Sequence, residues 1–539
     1  MAEARAETSG PQTSLARSTA MMTVGTIISR ATGVLRLAVL AATLGVAETR
    51  FTDTYNLANT APNILYELVL GGVIASVFVP IFVELLENKD REEAAATISG
   101  IFNVSLLILI GLSLIGVLAA PLIAKFYASR LSGEDLRQQQ EVLTFLLRVF
   151  IPQVALYGIY FMASGLLNAH KRFVLPMWTP IVNNLVLIAV LVFFHQAYGL
   201  IDLGSATTTH LLVLGLGTTL SVAPMGLLLI PSMARLGDYR LVFRIEPELR
   251  KRLIHLSVYL IGFVVSNQAA YVIVQWLANG VQGAYTAYIA ASTFFLLPVG
   301  LFVWSLTTVL LPSLSRSALS QDWAGFSSTL SVGIRGTLFL IVPSAAGFLV
   351  LGAPLVEAFL EHGVVTGTST RLIVEVLIFF TLGLVQFSVY QLLVRAFYAL
   401  QDGRTPFFIN LVVVLVNIAI NVPMFAWFGV GGLAAGQAVA YTLGVALQAR
   451  ELHRRVGEFK VMSVVAGSVR IIAATIGMAA IVWPLSAFMN DVLGEGTLAT
   501  ALTLIVPTLV GAAAYLGLAV LLRVEEIRFV RSALLRRGS

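Results

Sequence analysis

Two neighbouring stretches decide how the chain is read: MMTVGTIISRATGVLRLAVLAATLG (residues 21–45) and LANTAPNILYELVLGGVIASVFVPIFVELL (residues 57–86). Both are long and apolar enough for a membrane-crossing helix. The first nevertheless carries Arg30 and Arg36, and the second carries Glu67 ahead of a Gly71-Gly72 pair. Counted from Met21 at about 1.5 Å per residue, Arg30 lies roughly 14 Å and Arg36 roughly 22 Å along the helix. A hydrocarbon layer is about 30 Å thick, so neither arginine is simply a helix-end residue. Charge at such depth is costly unless it is paired or faces water, and it marks an interior cavity by default. Two arginines there point to a transporter of an anion.

Composition supports a membrane chain. Apolar residues make up 58% of the 539 positions and charged residues 12%; a soluble chain carries about twice that charged fraction. The net charge of +6 would suggest nucleic acid for a soluble protein, but here the charge collects in loops and no nucleic-acid partner is expected. There is no cysteine, which removes disulfides, thiolate metal sites and thiol nucleophiles. The polar residues 1–18 read as a disordered cytoplasmic tail.

A window of about 20 residues moved along the chain picks out about fourteen apolar spans. Lys and Arg concentrate between Arg235 and Arg252, Arg450 and Arg470, and Arg523 and Arg537, while the intervening loops around Asp202, Gly280, Gly429 and Asp491 are nearly free of them. Positive charge stays on the cytoplasmic side, so both termini are placed there. Pro80 and Pro312 lie 232 residues apart, and so do Arg172 and Arg404. An offset that spans an even number of crossings preserves orientation and makes the repeats parallel. The expected fold is therefore an all-α polytopic membrane protein with two parallel six-helix lobes and two extra C-terminal helices. The lobes are 19–236 and 237–460; helices in 461–523 and a cytoplasmic tail, 524–539, follow.

At this point the residues resemble a known family. Ser29-Arg30, Gly33 and Arg36, then Thr52-Asp53, Pro62-Asn63, Phe78-Val79-Pro80, Leu310–Arg316 (LLPSLSR) and Arg395–Pro406 (RAFYALQDGRTP) follow, in order, the pattern of the MurJ (MviN) lipid II flippases. That family belongs to the multidrug/oligosaccharidyl-lipid/polysaccharide exporter superfamily. The resemblance implies a multi-pass protein of the bacterial inner membrane, not an enzyme, that moves lipid II, the undecaprenyl-pyrophosphate-linked peptidoglycan precursor, to the outer leaflet by alternating access. It also implies a cationic cavity for the pyrophosphate and a groove for the polyprenyl tail in the last two helices. The driving force would be membrane potential or an ion gradient. No cofactor is implied beyond a coupling cation, and the expected partners are lipid II, membrane lipids and cell-wall synthesis proteins. Alternative cargoes or roles are another polyprenyl-linked glycan, cation-coupled drug antiport, and a transport-inactive cell-wall scaffold.

The candidate residues carry alternative readings. Arg30 and Arg36 are the pyrophosphate ligands, because a guanidinium presents planar donors in a fixed fork; an ion pair for Arg30 and snorkelling for Arg36 are the structural alternatives. Glu67 is either an arginine partner or an ion-coupling carboxylate. Asp53 is a cavity acid or a helix-start residue. Arg395, Asp402 and Arg404 belong to a lobe or gate motif, with interface anchoring and turn chemistry as rivals. The chain departs from the family pattern at Leu37, Tyr66, Gly71 and Thr293, where the resemblance leads one to expect cavity charges. His-x-x-x-His, Gly-x-Ser-x-Gly and Walker-type runs are absent from the sequence, so neither zinc hydrolysis nor ATP-driven pumping is supported.

Overall fold

The structure, a computed structural model, describes residues 11–70, 78–236, 239–457, 461–494 and 496–527. Among these residues every regular element is a helix, and the chain divides into two compact units, 1–268 and 269–539.

Unit one opens with α1 (Pro11–Leu44), α2 (Arg50–Leu70), α3 (Val79–Asn88) and α4 (Arg91–Ala128). It continues with α5 (Gly133–Phe150), α6 (Gln153–Ala169), α7 (Val174–Tyr198), α8 (Thr208–Leu227), the short α9 (Ile230–Ala234) and most of α10 (Pro247–Ala278). Within α1, residues 11–18 are helical where a disordered tail was expected. Residues 1–10, Gly71-Gly72 and 528–539 lie outside the described residues. Gly45, at φ +81°, closes α1 through its N–H to the Ala41 carbonyl at 2.8 Å.

The segment that joins α9 to α10 is clamped onto the start of α4. Asn103 donates to the carbonyls of Arg240 (3.1 Å) and Val242 (2.7 Å), and Tyr239 donates back to its amide oxygen at 2.8 Å. Arg91 donates to the Leu236 carbonyl, and Lys89 and Glu92 pair with Glu246 and Arg240. Below this clamp, the core of the unit gathers Phe82, Ile98, Ile101, Leu109 and Leu166, all buried.

Unit two contains α11 (Ala284–Pro298), a π turn over Val299–Val303, α12 (Trp304–Leu319), α13 (Trp323–Leu360) and α14 (Gly367–Ala399). It ends with α15 (Arg404–Val456), α16 (Val461–Leu493) and α17 (Thr497–Leu521). At 53 residues, a straight α15 would measure about 80 Å, far beyond one bilayer. It is instead a hairpin: Phe428 and Gly429 leave helical geometry, and Gly429 takes φ +56°. The arms then run back along each other, with Gly432 against the Met424 carbonyl, Gly436 against Asn421 and Gly444 against Val413. A Cβ at Gly432 would overlap that carbonyl, so glycine is what allows so close a seam.

The helices α13, α16 and α17 share a core of Phe339, Ile471, Met478 and Tyr515. An ion-pair cluster adds to it: Arg335 meets Glu525 and the buried Glu526, each at 3.0 Å.

Twelve helical stretches of the described residues are long and apolar enough to cross a membrane. The hairpin counts as one of them, and the stretch expected at 57–86 is not among them because 71–77 lie outside the described residues.

Several helices end in one way. Lys171 and Gln401 both take positive φ, and the next N–H in each case reaches back to a carbonyl five residues earlier, Leu167 and Phe397. This is the Schellman closure. The same closure ends α12 at Gln321 and α17 at Arg523, where Asp322 and Val524 reach back to Ser317 and Ala519.

Candidate functional site

The apolar stretch of α1 runs Val24–Leu44, which sets Arg30 about 9 Å and Arg36 about 18 Å from its start. The helix is held to α7 by amide chemistry. Asn184 donates to the Ser29 carbonyl (3.3 Å) and to the Thr32 hydroxyl (3.0 Å), one residue before Arg30 and two residues after it. Trp178 lies against Gly25. These contacts fix the rotation of α1, and with it the direction of Arg30.

Arg30 opens into a cavity of about 550 Å³ within unit one, walled by α1, α2, α3, α6 and α7. It is the sole charged residue among the lining side chains, which include Tyr66, Tyr160, Phe161, Asn168 and Met177. The aromatic wall is stacked. Tyr66 lies flat on Phe161 with ring centroids 4.3 Å apart and planes 6° from parallel, while Tyr160 meets Phe161 edge-on at 4.7 Å. The Tyr160 hydroxyl is occupied by the Pro176 carbonyl at 3.0 Å. One guanidinium in a cavity with an aromatic wall has the chemistry to take a group that joins an anion to an apolar or ring-bearing body.

The other sequence-predicted residues disperse. Arg36 is half-buried and does not line this cavity; it lies within electrostatic reach of the Tyr55 and Tyr157 hydroxyls. Among the described residues it has no carboxylate partner. Asp53 is fully buried in the first turn of α2, where a carboxylate is favoured by the helix dipole. Glu67, next to Tyr66, turns away to accept a hydrogen bond from Gln268 on α10.

In unit two, Arg395 is exposed, with its guanidinium 5.9 Å from the Tyr398 ring centroid. Asp402 accepts from the backbone N–H groups of Arg404 (2.9 Å) and Thr405 (3.0 Å) and pairs with Arg455. That makes Asp402 the cap of α15. Partial burial works against its carboxylate, but the Thr405 and Arg455 interactions outweigh it and hold the pKa below its ordinary value. Arg404 lies 5.7 Å from the Phe408 ring centroid.

At the departures from the family pattern, Tyr66 forms the stack just described and Thr293 bonds to the Ile289 carbonyl at 2.9 Å. Leu37 is half-buried, and Gly71 lies outside the described residues. No group of three or more His, Cys, Asp or Glu side chains comes together among the described residues.

The α6 wall was not singled out from sequence. Its signal is Tyr157, Tyr160 and Phe161, at i, i+3 and i+4 on one helix face. One chain alone does not say whether such a face meets lipid or a cavity.

Comparison with known proteins bears on the same architecture. The sequence profile of the family described as "Lipid II flippase MurJ" matches residues 40–503. The probable lipid II flippase MurJ of Vibrio cholerae is 27% identical over 521 residues, covering 95% of this chain and 97% of that protein. Its counterpart in Thermotoga maritima is 26% identical, with 97% and 99% covered. A solved lipid II flippase MurJ in an inward closed conformation superposes with a TM-score of 0.74 at 23% identity, covering 93% of this chain and 98% of that one. An inward-facing multidrug resistance transporter of the MATE family follows with a TM-score of 0.65 at 12% identity, covering 80% and 96%. At these identities the structures establish a shared fold.

Proposed function

The chain belongs to the MurJ lipid II flippase family, and on that premise we propose that it carries lipid II from the inner to the outer leaflet, with Arg30 as the principal ligand of the pyrophosphate. It is a transporter and not an enzyme, a multi-pass protein of the bacterial inner membrane. The observation that carries the assignment of Arg30 is its place, as the one charged side chain among the described lining residues, in an aromatic-walled cavity. A guanidinium matches phosphate oxygens with paired donors, and Tyr66 and Phe161 offer flat apolar surface beside it.

Complementation tests this. In a bacterium depleted of its resident flippase, the parent chain should restore growth. Arg30→Ala, shown to reach the membrane, should lose transport by about ten-fold or more, the scale of one charge-assisted hydrogen bond. Arg36→Ala should lose less, since Arg36 does not line the cavity. Growth of the Arg30→Ala strain at the parental rate would remove Arg30 from the site.

We further propose fourteen crossings with both termini in the cytoplasm. The twelve apolar stretches then gain the second arm of α15 and a crossing built from α2 and α3. No nucleotide-binding run occurs in the sequence, and the driving force proposed is membrane potential or an ion gradient. One charge moved through 100 mV is worth about 2.3 kcal/mol, enough to bias a two-state carrier. Glu67 is the carboxylate on which a coupling cation would act. Undiminished flipping in vesicles with potential and ion gradients collapsed would rule this driving force out. The two C-terminal helices are assigned to the polyprenyl tail by the same family reading.

A further inference from the structure

At the closed end of the α14–α15 turn, a second cavity of about 570 Å³ lies between the first turns of α15 and its last ones. Its cations are Arg404, Arg450, Arg454 and Arg455, and Glu451 is the single acid among its lining residues. The acids nearby are already engaged. Arg455 takes Glu451 at 2.9 Å and Asp402 on its other side, and donates to the Thr405 hydroxyl at 2.7 Å. Arg454 stands 3.6 Å from Glu451. Arg404 and Arg450 have no carboxylate partner among the described residues, and both are exposed. Among the described residues, two of the four guanidinium groups in one concavity are thus without a carboxylate partner, an arrangement that attracts anionic oxygens.

The same cavity has an apolar side. Phe408, Ile409 and Leu447 complete its lining, and Phe408 begins a run of exposed apolar side chains, Phe408, Val412 and Leu415, that are 47%, 42% and 58% exposed. Their spacing of i, i+4 and i+7 sets them in one stripe along the first arm of the hairpin. The stripe starts at the arginines and runs away from them along a helix that crosses the bilayer. Free phosphate would use the first feature and have no use for the second. A molecule with a phosphate at one end and acyl chains at the other uses both.

We infer that this cavity is a binding site for the head group of an anionic glycerophospholipid, with Arg404 and Arg450 on the phosphodiester and the Phe408–Leu415 stripe against an acyl chain. Basic pockets at helix ends on the cytoplasmic side are suited to such head groups, and in the orientation proposed above these ends face the cytoplasm. The site is separate from the cavity around Arg30 and does not depend on the cargo that cavity carries.

The test uses the full chain purified in detergent, with bound lipid counted by native mass spectrometry during titration with phosphatidylglycerol, phosphatidylcholine or glycerol 3-phosphate. Phosphatidylglycerol should bind preferentially. Each of Arg404→Gln and Arg450→Gln should weaken it about five-fold, and the double variant should abolish the preference. Arg371→Gln, an exposed arginine near the opposite end of α14, should leave it unchanged. Arg450→Gln removes a side chain with no carboxylate partner among the described residues, so it keeps the test decisive should the double variant misfold. Equal binding of the phosphatidylglycerol and phosphatidylcholine lipids, or parental binding by both single variants, would overturn the inference. Displacement of phosphatidylglycerol by an equal concentration of glycerol 3-phosphate would overturn it in favour of a site for free anions.

Discussion

Asp402 carried two readings from sequence, a lobe or gate motif and turn chemistry, and its observed contacts are those of a turn. It stands in the motif expected to form a lobe or gate, and the structure has it capping α15 while it pairs with Arg455. Because its folded-state pKa is depressed, its contribution to stability is complete above the unfolded-state pKa. The contribution fades as pH falls through the lower folded value. Asp402→Asn keeps the oxygen that accepts from Arg404 and Thr405 but loses the charge. The parent should therefore melt above this variant at pH 6, and the gap should close below about pH 4; thermal unfolding in detergent across that range checks it. Arg30 was legible for the opposite reason: a charge inside an apolar helix is visible in any single sequence. Tyr66 was not. It replaces an expected charge with a ring whose purpose appears only once Phe161, from another helix, is seen beneath it.

Among the elements, the spans were readable from apolar length alone, and their ends and folds were not. The break at Phe428 and Gly429 was foreshadowed by a glycine between two apolar runs. The helicity of residues 11–18 was obscured by polar composition, which reports solvation and not backbone geometry. The clamp between α4 and the segment before α10 carries no periodic signal, since it is built from scattered contacts, among them one amide side chain reading two carbonyls. Asn103→Ala would strand those carbonyls and the Tyr239 hydroxyl. A loss of about 1–3 kcal/mol is expected, with residues 236–246 becoming more susceptible to limited proteolysis. Cleavage at the parental rate would show that the backbone pairing of this segment does not rely on Asn103.

For the whole molecule, charge asymmetry between loops carries more information than any motif, because the cost of translocating Lys and Arg acts on every connection at once. The chain lacks cysteine, so single introduced cysteines report orientation without background. Cysteines at Ser320 and Gly403 should react with an impermeant maleimide only after the membrane is opened to the cytoplasmic side, and cysteines at Gly199 and Gly280 from outside in intact cells. Outside labelling at Ser320 or Gly403 would invert the topology. The hairpin of α15 bears in turn on how the protein is made. Its first arm carries Asn410, Asn417 and Asn421, all buried. Asn417 and Asn421 bond to each other, Asn410 accepts from Tyr390 on α14, and the second arm covers Asn421 through Gly436. A ribosome delivers the first arm before its cover exists, and amides facing hydrocarbon are penalised. In the proposed topology residues 404–456 are expected to insert as a pair of arms, the first covered only once synthesis has proceeded some 25 residues past the bend.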